Sequence, residues 1–210
     1  MNYLVVRKLT GMMKLASANG KVTLFVLVFV LLIGSFLRSV AIVNKSLISH
    51  DEGISYLAAA ANWGSYQQIL TDQSPPYGTW VTAKEWQLFL KPSVPFDFVQ
   101  ISNDLALLDV HPPLYFWLLH LAILAFDVHP WTGPLLNFVF FILGASCLFV
   151  LALRLLKNEQ EALVVVAIWV LSPARIETIS EARQYELLGL CAILFIHTLV
   201  INLESRPKLK

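Results

Sequence analysis

Read for apolar and polar positions, the chain divides into five apolar runs separated by polar stretches of unequal length. They cover residues 22–43, 112–126, 135–153, 162–174 and 187–203, and the first is interrupted only by Arg38. A helical bilayer crossing takes about 20 such residues. The run at 112–126 falls short of that, starts at Pro112 and carries His120. Between the first two runs lies a long mixed segment, about residues 44–110, rich in Asp, Glu, Trp and Tyr. Within it, Ile54, Leu57, Ala58 and Ala61 recur at helical spacing and predict one amphipathic helix over 52–70. Ser74-Pro75-Pro76-Tyr77-Gly78 predicts a turn. Trp63, Tyr66, Tyr77, Trp80 and Trp86 are at a density that suits lipid headgroups.

Basic residues turn this pattern into a topology. They cluster before the first run (Arg7, Lys8, Lys14, Lys21), after the third (Arg154, Lys157) and in the tail (Arg206, Lys208, Lys210). Such clusters mark the cytoplasmic side. With five crossings, the Arg154/Lys157 loop and the tail would fall outside. With four, and residues 112–126 lying as an interfacial or re-entrant helix, all three clusters fall inside. The expectation is an all-α, polytopic helical membrane protein of about four transmembrane helices, with interfacial helices in a long first external loop. Residues 1–21 form a cytoplasmic lead, 22–203 the membrane domain with its external loop at about 44–132, and 204–210 a basic cytoplasmic tail.

Composition agrees: 57% of residues are hydrophobic and 14% charged, far from a soluble domain. The net charge of +1 offers no basic field for nucleic acid. Cys147 and Cys191 sit in apolar runs and read as buried thiols packing as small hydrophobes. The basic N-terminus followed by an apolar run resembles a signal peptide, but the run is longer than a signal core and no small-x-small cleavage site follows. Arg38 reads as snorkelling to the headgroups, ahead of a phosphate contact as its second reading, and His120 as a satisfied core histidine.

Three motifs share the non-cytoplasmic side in this topology: His50-Asp51-Glu52, His111-Pro112-Pro113-Leu114-Tyr115 and Glu181-Ala182-Arg183-Gln184-Tyr185. Each has a plain structural reading. Acidic residues favour a helix N-terminus, proline suits a first helical turn, and Glu181 with Arg183 makes an exposed ion pair of little energetic weight. Together, in this order, they resemble the N-terminal part of the large multi-spanning glycosyltransferases that use polyprenyl-phosphate sugars. These are C-type fold enzymes related to protein O-mannosyltransferases, lipid A aminoarabinose transferases and bacterial lipopolysaccharide-core transferases. The likeness runs from about residue 22 to 203. Typical members are two to three times longer, so the resemblance implies a fragment, a truncated frame or one half of a split protein.

The resemblance implies transfer of a sugar from a polyprenyl-phosphate donor to a hydroxyl on a lipid, glycan or protein acceptor. The reaction would take place at the outer face of a bacterial inner or plasma membrane. It assigns catalysis to the acidic pair Asp51 and Glu52, and substrate binding to His111, Tyr115, Glu181, Arg183 and Tyr185. The chemistry fits those residue types. An ionised Asp within hydrogen-bond reach serves as base for the acceptor hydroxyl, and carboxylates stabilise oxocarbenium character. The Arg183 guanidinium suits a leaving phosphate. A divalent cation, Mg or Mn, held by Glu52, His111 or Glu181 would assist. Two other readings stand beside this one: an inactive remnant or accessory membrane subunit, and a transporter or flippase-like protein using its intramembrane charges as a pathway.

Overall fold

The computed structural model describes residues 18–205. Most of the lead and of the basic tail lies outside them, including Arg7, Lys8, Lys14, Arg206, Lys208 and Lys210. Among the described residues every regular element is helical: α1 (Ala18–Val43), α2 (His50–Ala59), α3 (Trp63–Asp72), α4 (Ala83–Leu88), α5 (Phe98–Leu108), α6 (Leu114–Phe126), α7 (Thr132–Leu156), α8 (Glu159–Leu171), α9 (Pro173–Thr178) and α10 (Tyr185–Ser205). Three of them, α1, α7 and α10, are long and apolar enough to cross a membrane. This is a helical, membrane-associated protein.

Burial decides how the three are arranged. In its most apolar window α7 is 44% buried, against 11% for α1 and 17% for α10, so α7 is central. Leu24, Phe25, Phe29, Leu32 and Phe36 of α1 stand exposed, a face suited to lipid. α6 has 13 residues, about 20 Å at 1.5 Å per residue, short of a hydrocarbon core of about 30 Å. The fourth apolar run, 162–174, expected to cross, forms α8, also 13 residues, continued by α9 after a kink. The kink has a local cause. Ser172 sits before Pro173 and is extended, with φ −60° and ψ 123°, because proline disfavours the helical region in its predecessor.

Side-chain contacts fix the directions. Thr23 donates to the Glu159 carboxylate at the start of α8. Fifteen residues further along α1, Arg38 donates to the Val170 carbonyl at the end of α8 (2.8 Å). α8 therefore runs alongside α1 in the same direction. The two approach closely at Gly34, where a Cβ would lie 2.2 Å from Val170 Cγ1. At the Thr23 end, Arg154 near the end of α7 pairs with Glu204 near the end of α10 (2.6 Å). The start of α1, the α7–α8 link and the end of α10 thus share one end of the bundle. Helices α2–α6 and the 172–185 segment share the other.

That second end is a helical layer with its own core of Tyr56, Ala59, Ile101, Leu105, Phe116 and Leu119. A second core, Phe141, Ala145, Val166 and Val170, holds α1, α7 and α8 together. His120 is fully buried and satisfied at both nitrogens: Nδ1 donates to the Ala59 carbonyl (2.7 Å) and Nε2 accepts from Phe96 N–H (2.9 Å). Buried Asp104 ties α5 to α3 by accepting from Gly64 N–H (3.1 Å).

Several expectations are corrected. The single helix over 52–70 breaks into α2 and α3 at Ala60–Asn62, where Ala61 has φ 58°. The Asn62 amide donates to the Phe89 and Lys91 carbonyls instead (2.9 and 2.8 Å). Trp63 is buried in the core and not in a headgroup belt. Arg38 turns inward and is fully buried. Cys191 is exposed on α10, because the apolar run containing it is itself largely exposed.

Candidate functional site

The acidic pair starts α2 with Ser49 as N-cap and Glu52 at N3, forming a capping box. The Glu52 carboxylate accepts from Ser49 N–H (2.9 Å), and the Glu52 amide meets Ser49 Oγ at 3.4 Å. Serine with Glu three residues on is a helix-start pattern. It also places Asp51 and Glu52, about 100° apart around the helix, in opposite environments. Glu52 is 1% exposed. It is ion-paired to Lys45 and accepts from Ala182 N–H (2.7 Å). Lys45 also donates to the Ser180 carbonyl. The Asp51 side chain is 61% exposed and pairs with Arg183 across 132 residues of chain (2.9 Å). His50 Nδ1 lies 3.4 Å from the other Asp51 oxygen.

The Glu181–Tyr185 motif reaches α2 because the loop seats on the start of α7. Ala182 is fully buried, and a Cβ at Gly133 would fall 2.2 Å from its Cβ, so only glycine lets the two meet. Asn137 on α7 donates to the Glu181 carbonyl (2.5 Å). Tyr56 stitches α2 to the same place, accepting from Gly133 N–H (2.9 Å) and donating to the His129 carbonyl (3.0 Å).

The other expected residues are dispersed around this junction. Tyr115 lies beneath it, 1% exposed, with no partner for its hydroxyl. Burial, then the neighbouring Tyr56 and Glu52, push its phenol well above the usual range. A neutral buried phenol suits the core. The Glu181 side chain is exposed and Tyr185 is 42% exposed. His111 stands apart, pairing through Nδ1 with Asp109 (2.6 Å); no hydrogen bond or ion pair ties it to Asp51 or Arg183. Among the described residues no three His, Cys, Asp or Glu side chains are grouped to hold a metal.

On the face of α2 that carries His50, Gly53, Ile54 and Leu57, one residue round the helix from Asp51, opens a cleft of about 340 Å³. His50, Gly53, Tyr66, Trp86, Gln87 and Phe89 are among its walls. Tyr66 meets Trp86 and Phe89 edge-on, with centroids 6.1 and 5.7 Å apart. Aromatic walls with a few polar groups are the usual make-up of a ligand cleft. Sequence reasoning missed this cleft, which depends on the α2–α3 break. It also missed Lys45, whose only signal was its position seven residues before Glu52. Comparison with family models, curated proteins and solved structures finds no match to this chain.

Proposed function

We propose that this chain is a multi-pass membrane glycosyltransferase, or the N-terminal part of one. It transfers a sugar from a polyprenyl-phosphate donor to an acceptor hydroxyl at the non-cytoplasmic face. One observation carries the reading: Asp51 is an exposed carboxylate held by Arg183 on α2, whose adjoining face of His50, Gly53, Ile54 and Leu57 lines an aromatic-walled cleft. That is the disposition a general base needs, with one oxygen held and the group open to an acceptor hydroxyl. The common end shared by the Arg154/Lys157 link and the starts and ends of the long helices supports the sidedness. In this reading Asp51 takes the acceptor proton, Arg183 orients it, and the cleft receives the acceptor. Glu52 acts by holding the 180–183 loop in place.

A second reading, a structural subunit of a larger membrane assembly, draws on the full commitment of Glu52 to the fold. One experiment separates them. Membranes containing the full chain are assayed with polyprenyl-phosphate-linked mannose, glucose and aminoarabinose. Asp51→Asn abolishes label transfer while leaving the unfolding midpoint unchanged. Transfer at the wild-type rate by D51N rejects the base. Absence of transfer by the wild-type chain with all three donors favours the subunit.

A further inference from the structure

At the α2–α6 end of the bundle, the surface formed by residues 94–126 differs from its surroundings. Among the described residues, those exposed in this stretch carry no charge, and Gln100 and Asn103 are the only polar ones. The preceding stretch, 50–93, exposes Asp51, Asp72, Lys84, Glu85 and Lys91. At the end of α5, Leu107 is 83% and Val110 95% exposed. On α6, exposed Leu114, Leu121 and Ala125 recur at helical spacing and lie on one face. The underlying sequence is not free of charge. It carries Asp97, Asp104, Asp109, His111 and His120, and each turns to a partner within the protein. Asp97 accepts from Gln100 N–H (3.0 Å), and Asp104 from Gly64 N–H and Gln100 Nε2 (3.1 and 2.7 Å). Asp109 accepts from Val110 N–H (2.7 Å) and pairs with His111 (2.6 Å). His120 is held by Ala59 and Phe96. The Trp117 indole N–H meets the Phe98 carbonyl and Ser102 Oγ (3.2 and 3.3 Å).

We propose that residues 94–126 are immersed in the leaflet that surrounds this end of the bundle, with α5 and α6 against lipid hydrocarbon but not crossing it. Water would satisfy outward-facing polar groups, whereas hydrocarbon requires that they be satisfied internally. A protein partner would bring hydrogen bonds and a polar rim. The partner is acyl chain and not headgroup phosphate, because no Lys or Arg occurs between 94 and 126. Continuity with a lipid-facing surface supports the choice. Phe98 of α5 packs edge-on against Trp117 of α6 (6.1 Å), and Phe126 at the end of α6 meets Trp131 before α7 (6.0 Å). Beyond Trp131, α7 is long enough to span and exposes Leu135, Val139 and Leu143. The exposed Lys91–Asp127 ion pair (2.7 Å) marks where charge returns. An in-plane helix buries its apolar face about 5–10 Å into the headgroup–acyl boundary, and α5, with 11 residues, is about 16 Å long. Immersion of the Asp-bearing segment 94–110 goes beyond the in-plane helix expected at 112–126, and it is independent of transfer activity.

The test uses the full chain reconstituted in phosphatidylcholine vesicles. In a Cys147→Ser, Cys191→Ser background, nitroxide labels are placed through Val99→Cys, Leu107→Cys and Leu121→Cys, with Asp72→Cys and Lys84→Cys as references. Collision with oxygen, which concentrates in hydrocarbon, should exceed collision with a water-soluble nickel chelate at 99, 107 and 121. The order should reverse at 72 and 84. In the chain with its native cysteines, benzoylphenylalanine at position 107 should crosslink to phosphatidylcholine on irradiation, which decides the matter if the serine background does not fold. Nickel access at 99, 107 and 121 equal to that at 72 and 84 overturns the proposal and leaves this surface in water. Exclusion of both reagents, or a crosslink from 107 to a second chain, overturns it in favour of a protein-covered face.

Discussion

Replacing Glu52 with alanine is expected to destabilise the fold far more than replacing its neighbour Asp51. The Glu52 carboxylate accepts from Lys45, Ala182 N–H and Ser49 N–H, and the two charged side chains are 2% and 12% exposed. Removing one partner of a buried pair costs about 3–5 kcal/mol, because the remaining charge is stranded. The Ala182 amide, also buried, loses its acceptor at about 1–3 kcal/mol. The terms share one cavity and do not add fully, so E52A should cost about 4 kcal/mol. Asp51→Asn removes a largely exposed pair and should stay within about 1 kcal/mol. Reversible unfolding in mixed micelles measures both. Amide hydrogen exchange gives the local reading: residues 180–183 should lose protection in E52A and keep it in D51N. The double variant Lys45→Met, Glu52→Leu should recover much of the loss, as apolar replacement of buried pairs does. An E52A cost below about 1 kcal/mol, with 180–183 still protected, would refute the clamp.

Gly133→Ala should cost about 2–3 kcal/mol, the overpacking of a tight site, because its Cβ meets the Cβ and backbone Cα of Ala182 at 2.2 and 2.8 Å; the same unfolding assay checks it, and the Asp51–Arg183 pair should loosen with it. His120→Phe strands the Ala59 carbonyl and Phe96 N–H, at about 2–4 kcal/mol for two buried groups, and should raise exchange in the 91–97 loop. The Asp127 carboxyl is held below its usual range by Lys91 at 2.7 Å and by Val128 N–H. A depressed folded pKa contributes stability above the unfolded value and loses it as pH falls through the folded one. Asp127→Asn should therefore cost no more than about 0.5 kcal/mol near neutral pH, since the pair is exposed. Unfolding below the carboxylate range should show wild type and variant equal.

What was legible in the sequence was what depends on long apolar periodicity. The runs at 22–43, 135–153 and 187–203 became α1, α7 and α10, because a length of apolar residues admits few other structures. The shortness of 112–126 carried over directly to α6. The α2–α3 break was not legible. Ala59-Ala60-Ala61-Asn62 contains no Gly or Pro, and the break is stabilised by Asn62 reaching carbonyls at 89 and 91. Asp51 with Arg183 was legible as motif order, and the structure brings the two together. The Arg175–Glu186 pair was not, since both looked like loop charges until α9 folded back over Trp169. Arg38 was conspicuous as a charge in an apolar run. Its direction was the unreadable part, because snorkelling and inward burial have the same sequence.

Two adjacent carboxylates that look equivalent in sequence divide the labour because a helix turns about 100° per residue. At N3, Glu52 faces the bundle and is consumed by Lys45 and Ala182. At N2, Asp51 faces outward and keeps an exposed oxygen. The division is causal. Arg183 follows Ala182 by one residue, so the bond from Ala182 N–H to Glu52 sets where the guanidinium sits relative to Asp51. Exchanging the two identities would not preserve the site: Asp at position 52 is one methylene shorter and cannot reach both Ala182 N–H and its own cap. E52D should therefore weaken the Asp51–Arg183 pair without touching either residue. A double-mutant cycle between E52D and R183Q should show a coupling of about 0.5–1 kcal/mol, while additivity would mean that the loop holds its place without Glu52.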